Sequence, residues 1–137
     1  MSAVRFAVSI PPQLLKKFDS LLRERKYTNR SEAVRDLIRD FAVEDEWEKG
    51  KEAVGSLTLV YDSKVRGVAE KLTKVQHEHH ACIISSMHVH LDEHNCLEVL
   101  IIKGKTDKIK RIADSLVSSR GVKHGKLVMT TTGKGME

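Results

Sequence analysis

The sequence predicts an α+β chain with two domains: a strand followed by two helices, and then a ferredoxin-like domain with the element order βαββαβ. Two observations support this prediction. Apolar residues alternate near the N-terminus and then recur at helical spacing up to residue 41, and from residue 56 onward short apolar runs flank two helical patterns. The 137 residues can form one domain or two small ones, and an aromatic content of 4% indicates an aliphatic core.

The N-terminal segment begins with a predicted strand at 4–10, where apolar residues alternate with polar or small ones. Pro11-Pro12 ends this strand, and apolar residues at helical spacing predict a helix at 14–22. The motif at 29–32, Asn-Arg-Ser-Glu, is typical of a helix cap and precedes the apolar stripe of a second helix at 33–41. About forty residues cannot enclose a core alone, so this segment is expected to pair its strand with that of a second copy.

The remaining elements belong to the second domain. An acidic stretch punctuated by glycines at 42–55 predicts the end of a helix and a linker. The pattern then predicts strands at 57–61, 81–90, 96–102 and 126–131, and helices at 64–77 and 106–119. The expected organisation is a first domain at 1–50, a linker at 51–55, a ferredoxin-like domain at 56–132 and a flexible tail at 133–137.

Charge and cysteine content limit the function classes only loosely. A net charge of +5 and a pI near 9.3 permit nucleic-acid binding without locating a binding face. Two cysteines do not suggest a disulfide framework, and no apolar run is long enough for a bilayer. The N-terminus lacks a signal-peptide pattern, so a cytoplasmic location without a membrane partner is expected.

The histidines concentrate in one stretch: six of the seven lie between His77 and His94. His88 and His90 are two residues apart in a predicted strand, so their side chains share a face. A short hairpin could bring Cys96 beside them. Two imidazoles and a thiolate suit zinc, copper or nickel, and the sequence does not fix the geometry that separates these metals. A fourth ligand could be another histidine from a second subunit, while four others are expected to be solvated or structural: His79, His80, His94 and His124.

The N-terminal pattern resembles the ribbon-helix-helix DNA-binding fold, in which paired strands enter the major groove. The resemblance rests on the strand, the two helices and the motif Asn29-Arg30-Ser31-Glu32-Ala33-Val34-Arg35-Asp36. By strand alternation, Arg5, Ala7 and Ser9 would meet base edges, and Arg5 could donate two hydrogen bonds to a guanine. The start of the second helix, near Asn29 and Arg30, would offer backbone N–H groups to a phosphate.

Four further segments are distinctive besides the second-helix motif: Gln76-His77, His88-Val89-His90, Cys96-Leu97-Glu98 and Gly121-Val122-Lys123-His124-Gly125. With them, nearly the whole chain resembles the nickel-responsive transcriptional regulators. The resemblance implies that His88, His90 and Cys96 of one subunit and His77 of a neighbour bind Ni²⁺ in a plane. It also implies that the ferredoxin-like domain is ACT-type and forms a central homotetramer, a dimer of dimers with a DNA-binding dimer at each end.

Two further sets of residues are expected to assist. Glu98 shares the face of Cys96 and could hydrogen-bond a ligand imidazole, helped by Gln76. The resemblance also implies a K⁺ site between the domains, formed by two carboxylates and three backbone carbonyls: Glu32, Asp36, Val117, Ser119 and Val122. The alternative for the two carboxylates is screening by Arg35 and Arg39 on a solvated helix face.

The function these observations predict is a nickel-dependent repressor that binds operator DNA and controls nickel uptake, not an enzyme, and without a small organic substrate. The sequence departs from the family pattern at two positions. Glu78 interrupts the histidine run, and Ala7 stands where a hydrogen-bonding residue is common. The second departure leaves the operator sequence open. The alternatives are a copper, cobalt or zinc regulator of the same architecture, a metalloenzyme with Glu98 as base, and an antitoxin or amino-acid-sensing regulator.

Overall fold

The computed structural model describes residues 2–136, which divide into two compact units, one up to Phe41 and the other from Ala42 onward. Its helices are α1 (Pro12–Glu24), α2 (Arg30–Glu48), α3 (Val68–Glu78) and α4 (Thr106–Val117), and its strands are β1 (Glu52–Asp62), β2 (Ile83–His90), β3 (Asn95–Lys105) and β4 (Val122–Thr130). The predicted α+β class is therefore confirmed. No helix in the described part of the chain is both long enough and apolar enough to cross a membrane.

The first unit has two helices but no strand among its described residues. Residues 2–10 have no regular secondary structure and are exposed, so the strand predicted at 4–10 is wrong for the single chain. The physical reason is that a strand is stabilised by hydrogen bonds to a neighbouring strand, and the neighbour predicted here is a second copy of the same segment. Phe6 consequently has 69% of its surface exposed.

The two helices of the first unit are held by specific polar contacts. The Asn29 side chain accepts a hydrogen bond from the backbone N–H of Glu32 (2.9 Å), which confirms the predicted cap of α2. Arg30 donates two hydrogen bonds to the Asp19 carboxylate, at 2.9 and 2.8 Å, and so ties α2 to α1. This guanidinium lowers the pKa of Asp19. Apolar residues near the end of the unit remain uncovered, and Phe41 is 77% exposed.

The second unit is a four-stranded antiparallel sheet with the strand order β2-β3-β1-β4. This order, with α3 between β1 and β2 and α4 between β3 and β4, is that of the predicted ferredoxin-like fold. β1 pairs with β3 along its whole length, from Glu52 opposite Lys105 to Asp62 opposite Asn95. β1 is therefore central and places its residues directly beside those of β3.

Several element boundaries differ from the prediction: β2 begins at Ile83 rather than at 81, and β4 begins at Val122 rather than at 126. β1 begins at Glu52, so most of the predicted linker at 51–55 is wrong, and Ala53 within it has no exposed surface. Most of the first residues of β1 are charged or small, so the alternation of apolar and polar side chains that marks a strand is weak there. β3 continues to Lys105, beyond the end predicted at 102. α3 begins only at Val68, because Gly67 has a φ of +84°, a left-handed conformation that no helix residue adopts.

The core of the second unit lies between α3, α4 and one face of the sheet. It is aliphatic, as predicted, and its largest fully buried side chains include Leu57, Leu59, Leu72, Leu100, Ile102, Ile109, Ile112 and Leu116. Alternation along β3 puts Cys96 and Glu98 on the same face as Leu100 and Ile102. The predicted tail at 133–137 contains a turn from Gly133 to Met136, and Glu137 lies outside the described residues.

Candidate metal centre

The β2-β3 hairpin builds the candidate site. Its register places His90 opposite Cys96 and His88 opposite Glu98, so these four side chains project from one face of two neighbouring strands. The turn is held by Asp92, whose carboxylate accepts hydrogen bonds from the backbone N–H groups of His94 (2.9 Å) and Asn95 (2.8 Å). Hydrogen bonds from the Asn95 side chain and these backbone groups lower the pKa of Asp92 to about 2.

His88, His90 and Cys96 come together within a single chain. Their possible ligand atoms lie within 4.8 Å of one another, and the Cys96 Sγ is 3.4 Å from the His90 Nδ1. The two imidazole rings meet edge to face, with centroids 4.9 Å apart. One nitrogen and one sulfur bound to the same transition metal are roughly 3.0–3.6 Å apart. The spacing and the donor types therefore fit a metal such as zinc, copper or nickel.

Burial differs between the donors. Cys96 opens β3 and is 1% exposed, whereas His88 and His90 lie on the edge strand β2 and are exposed. A free thiol in this position is available as a thiolate ligand once its proton is displaced. The sulfur donor is thus buried within the protein, while the two histidine donors are accessible from outside.

His77 does not join this group in the single chain. It lies near the end of α3, its side chain is exposed, and it is not among the described residues whose ligand atoms converge. Its predicted role as the ligand from a neighbouring subunit stays a prediction. His80, His94 and His124 are exposed and His79 is half-buried, and none of the four belongs to the described cluster.

Glu98 and Gln76 connect the strand that carries Cys96 to the helix that carries His77. Glu98 is 8% exposed, and its Oε1 accepts a hydrogen bond from the Gln76 Nε2 at 3.3 Å. Glu98 also faces His88 across the β2-β3 ladder. Its described hydrogen bond goes to Gln76 rather than to a ligand imidazole, and the assisting roles expected of Glu98 and Gln76 stay predictions.

Tyr61 is a site residue that the sequence reasoning missed. Its hydroxyl lies 3.1 Å from the His88 Nδ1, it is 3% exposed, and its Cα partner on β3 is Cys96. Burial, followed by the charges of Glu98 and Cys96, raises the pKa of Tyr61 to about 12. The available clue was the ferredoxin-like strand order, which places β1 beside β3 and hence the last residues of β1 beside Cys96.

The residues predicted to contact DNA all lie in the first unit. Arg5, Ala7 and Ser9 are exposed in the segment without regular structure. Asn29 caps α2 through its side chain, and the Arg30 guanidinium binds Asp19. Arg30 therefore already has an anionic partner within the chain, and its predicted phosphate contact, like the other DNA contacts, stays a prediction.

The second cation site also stays a prediction, because its residues belong to different units. In the first unit, Glu32 lies 3.8 Å from Arg35, and Asp36 accepts hydrogen bonds from Arg39 (3.0 Å) and Tyr27 (2.6 Å). The contacts with Arg35 and Arg39 are those expected if the two carboxylates are screened on a solvated helix face, the alternative to a cation site. The carbonyl candidates Val117, Ser119 and Val122 lie in the second unit, where the backbone N–H of Val122 donates to the Ser119 carbonyl at 3.1 Å.

Comparison with known proteins covers almost the entire chain. Residues 54–130 match the family "NikR C terminal nickel binding domain", and residues 4–45 match "Ribbon-helix-helix protein, copG family". The chain is 58% identical to a relative from Caldanaerobacter subterraneus (97% of this chain, 87% of the relative). It is 59% identical to one from Geobacter sulfurreducens (96% and 95%) and 58% identical to one from Pyrococcus furiosus (98% and 98%). All three carry the provisional name nickel-responsive regulator.

Among solved structures, an uncharacterized protein from Thermotoga maritima superposes with a TM-score of 0.54 and 18% identity. That similarity covers 59% of this chain and all of the other one. At this level of identity the likeness concerns the fold alone. The family matches are therefore the findings that bear on function.

Proposed function

Because this chain belongs to the family of nickel-responsive regulators, we propose that it represses transcription by binding operator DNA when Ni²⁺ is bound. It is a regulator and not an enzyme. The observation that carries the proposal is the convergence of His88, His90 and Cys96 on one hairpin, in a chain whose other end matches a DNA-binding family.

The proposed nickel ligands are His88, His90 and Cys96 of one subunit and His77 of a neighbour. Two nitrogen donors and one sulfur donor already lie within 4.8 Å of one another, and the exposed edge of β2 leaves room for a donor from outside. Bound Ni²⁺ would supply the coordination bonds that join the two subunits. The Gln76–Glu98 hydrogen bond would hold the end of α3, and hence His77, against the sheet.

The proposed DNA-binding unit is a dimer of the N-terminal segments. Phe6, Val8, Val34, Leu37, Ile38 and Phe41 line an open apolar cleft in one chain. Pairing residues 4–10 with a second copy would cover such apolar side chains and leave Arg5, Ala7 and Ser9 facing the major groove. The start of α2, at Asn29 and Arg30, would approach a phosphate.

The proposed assembly is a homotetramer, a dimer of dimers in which nickel and DNA binding are thermodynamically coupled. Subunits joined through His77 would limit the orientations open to the DNA-binding dimers. Binding to paired half-sites would then cost less conformational entropy, which raises the affinity for DNA. We further propose that Glu32, Asp36 and the backbone carbonyls of Val117, Ser119 and Val122 would bind K⁺. We expect the regulated genes to be those of nickel uptake.

The absorption spectrum tests the metal site. Added Ni²⁺ is expected to produce a thiolate-to-nickel charge-transfer band and a planar ligand-field pattern, and Cys96→Ala should abolish both. Cys82→Ala is the matched control, since Cys82 is also a buried free thiol but lies outside the ligand cluster. A band that survives in Cys96→Ala and disappears in Cys82→Ala would contradict the assignment.

A DNA titration tests the switch. Duplexes selected from a random pool by the nickel-loaded protein are titrated with and without Ni²⁺, at one salt concentration because phosphate contacts are salt-dependent. We expect tighter binding with Ni²⁺, and equal affinities would rule the switch out. Repeating the titration with Cu²⁺, Co²⁺ and Zn²⁺ separates nickel from the other metals that the donors accommodate.

A further inference from the structure

Tyr61 contacts the proposed metal ligands without being one of them. It lies near the end of β1, in the middle of the sheet, and its phenol is buried on the sheet face that also carries Cys96. The hydroxyl is 3.1 Å from the His88 Nδ1, and the two rings meet edge to face with centroids 6.0 Å apart. Directly across the ladder, its Cα partner is Cys96.

The imidazole of His88 has two nitrogens, and only one of them can bind a given metal ion. The nitrogen that does not bind metal is usually held by a hydrogen bond, which fixes both the tautomer and the orientation of the ring. Among the described hydrogen bonds, the one made by the His88 ring is that with Tyr61, at Nδ1. Glu98 also faces His88 across the ladder, but its described bond is to Gln76.

We propose that Tyr61 is a positioning residue that holds the His88 Nδ1 and thereby presents Nε2 to the metal. The inference rests on the proposed nickel site and deepens it. Turning Nδ1 toward the ion would break the hydrogen bond and leave a buried phenol hydroxyl without its imidazole partner. With Nε2 bound to metal, Nδ1 carries the proton and donates to the Tyr61 hydroxyl oxygen.

The two histidines would consequently use different nitrogens. In His90 it is Nδ1 that lies 3.4 Å from the Cys96 sulfur, so this nitrogen is the one placed to share an ion with the thiolate. His88 would use Nε2, because its Nδ1 is engaged by Tyr61. A side chain on β1, separated from β2 by β3, therefore selects between the two ring nitrogens of His88.

The first test uses the metal-free protein and compares the native chain with two variants. With ¹⁵N-labelled histidine and a neutral imidazole, the NMR spectrum of His88 should show one dominant tautomer in the native chain. Tyr61→Phe keeps the ring and removes only the hydroxyl, and it should give a mixture of tautomers. Tyr27→Phe is the matched control, because the hydroxyl of this second tyrosine donates to Asp36 in the other unit.

The second test measures nickel affinity by competition with a chelator. Loss of a group that orients a metal ligand typically costs 10–100-fold in affinity, so Tyr61→Phe should bind Ni²⁺ weaker by about that factor. Its charge-transfer band should remain, since Cys96 is intact, and Tyr27→Phe should bind as the native chain does. In the nickel-loaded native protein, the ¹⁵N shift of His88 should identify Nε2 as the bound nitrogen.

Three results would overturn the inference: a native His88 with mixed tautomers, a nickel-loaded His88 bound through Nδ1, or unchanged nickel affinity in Tyr61→Phe. Failure of the proposed function is distinguishable, because a native chain that binds no Ni²⁺ still reports the tautomer of His88 in the metal-free state. If Tyr61→Phe does not fold, the two measurements on the native chain decide the matter.

Discussion

Removing the Gln76 side chain should destabilise the second unit and weaken nickel binding together. Gln76→Ala leaves the Glu98 carboxylate, which is 8% exposed, without its described donor. Hydrogen bonds to charged groups contribute about 1.5–3 kcal/mol, and the 3.3 Å separation points to the lower end. We therefore expect the free energy of unfolding of the metal-free protein to fall by about 1–2 kcal/mol. Urea unfolding at one chain concentration measures it, since assembly makes stability concentration-dependent.

A double-mutant cycle isolates this contact from other effects of the substitution. Gln76→Ala, Glu98→Ala and the double variant should give a coupling energy of about 1 kcal/mol between the two side chains. Thr73→Ala is a control on the same helix, because its side chain has no described bond to Glu98. A coupling energy indistinguishable from zero would refute the reasoning, as would a loss of stability in Thr73→Ala as large as that in Gln76→Ala.

Three further outcomes follow from single contacts. Gly125→Ala should lower the free energy of unfolding by about 1–3 kcal/mol, because a Cβ there would lie 2.4 Å from a Val117 methyl carbon; urea unfolding measures this. The pKa of Asp19 is lowered by Arg30, so the ion pair stabilises the native state above the unfolded pKa, and this contribution is lost as the pH falls through the folded pKa. Asp19→Asn should therefore flatten the decline in stability below about pH 4, followed by circular dichroism. Phe41→Ser should abolish DNA binding and leave the nickel charge-transfer band intact, and a normal DNA affinity would contradict a dimer through this surface.

The hairpin site was predictable because its residues are close in sequence. Strand alternation alone placed His88 and His90 on one face, and the short turn brought Cys96 opposite His90. Tyr61 is different, because its contact with His88 crosses two strand pairings between segments 27 residues apart. Only the register of β1 on β3 reveals it, and register is set by packing across the whole sheet.

The errors in the fold prediction also have identifiable causes. The start of β1 was missed because Ala53 and Gly55 are small, so the alternation has little hydrophobic amplitude although both positions face the core. The close approach of Leu127 and Ile109 to Gly55 explains why a small residue stands there. The strand at 4–10 could not form in one chain, since its predicted partner is a second copy.

The division of burial within the ligand set gives a physical reason to link metal binding to assembly. Cys96 is buried in the core face of β3, whereas His88 and His90 lie exposed on the edge strand β2. The described residues of one chain bring three donors together and leave His77 apart. If a neighbour's His77 completes the set as proposed, occupancy of the site and contact between subunits stabilise each other by the same free energy. A donor supplied within one chain would remove that linkage, and nickel affinity would then be independent of chain concentration.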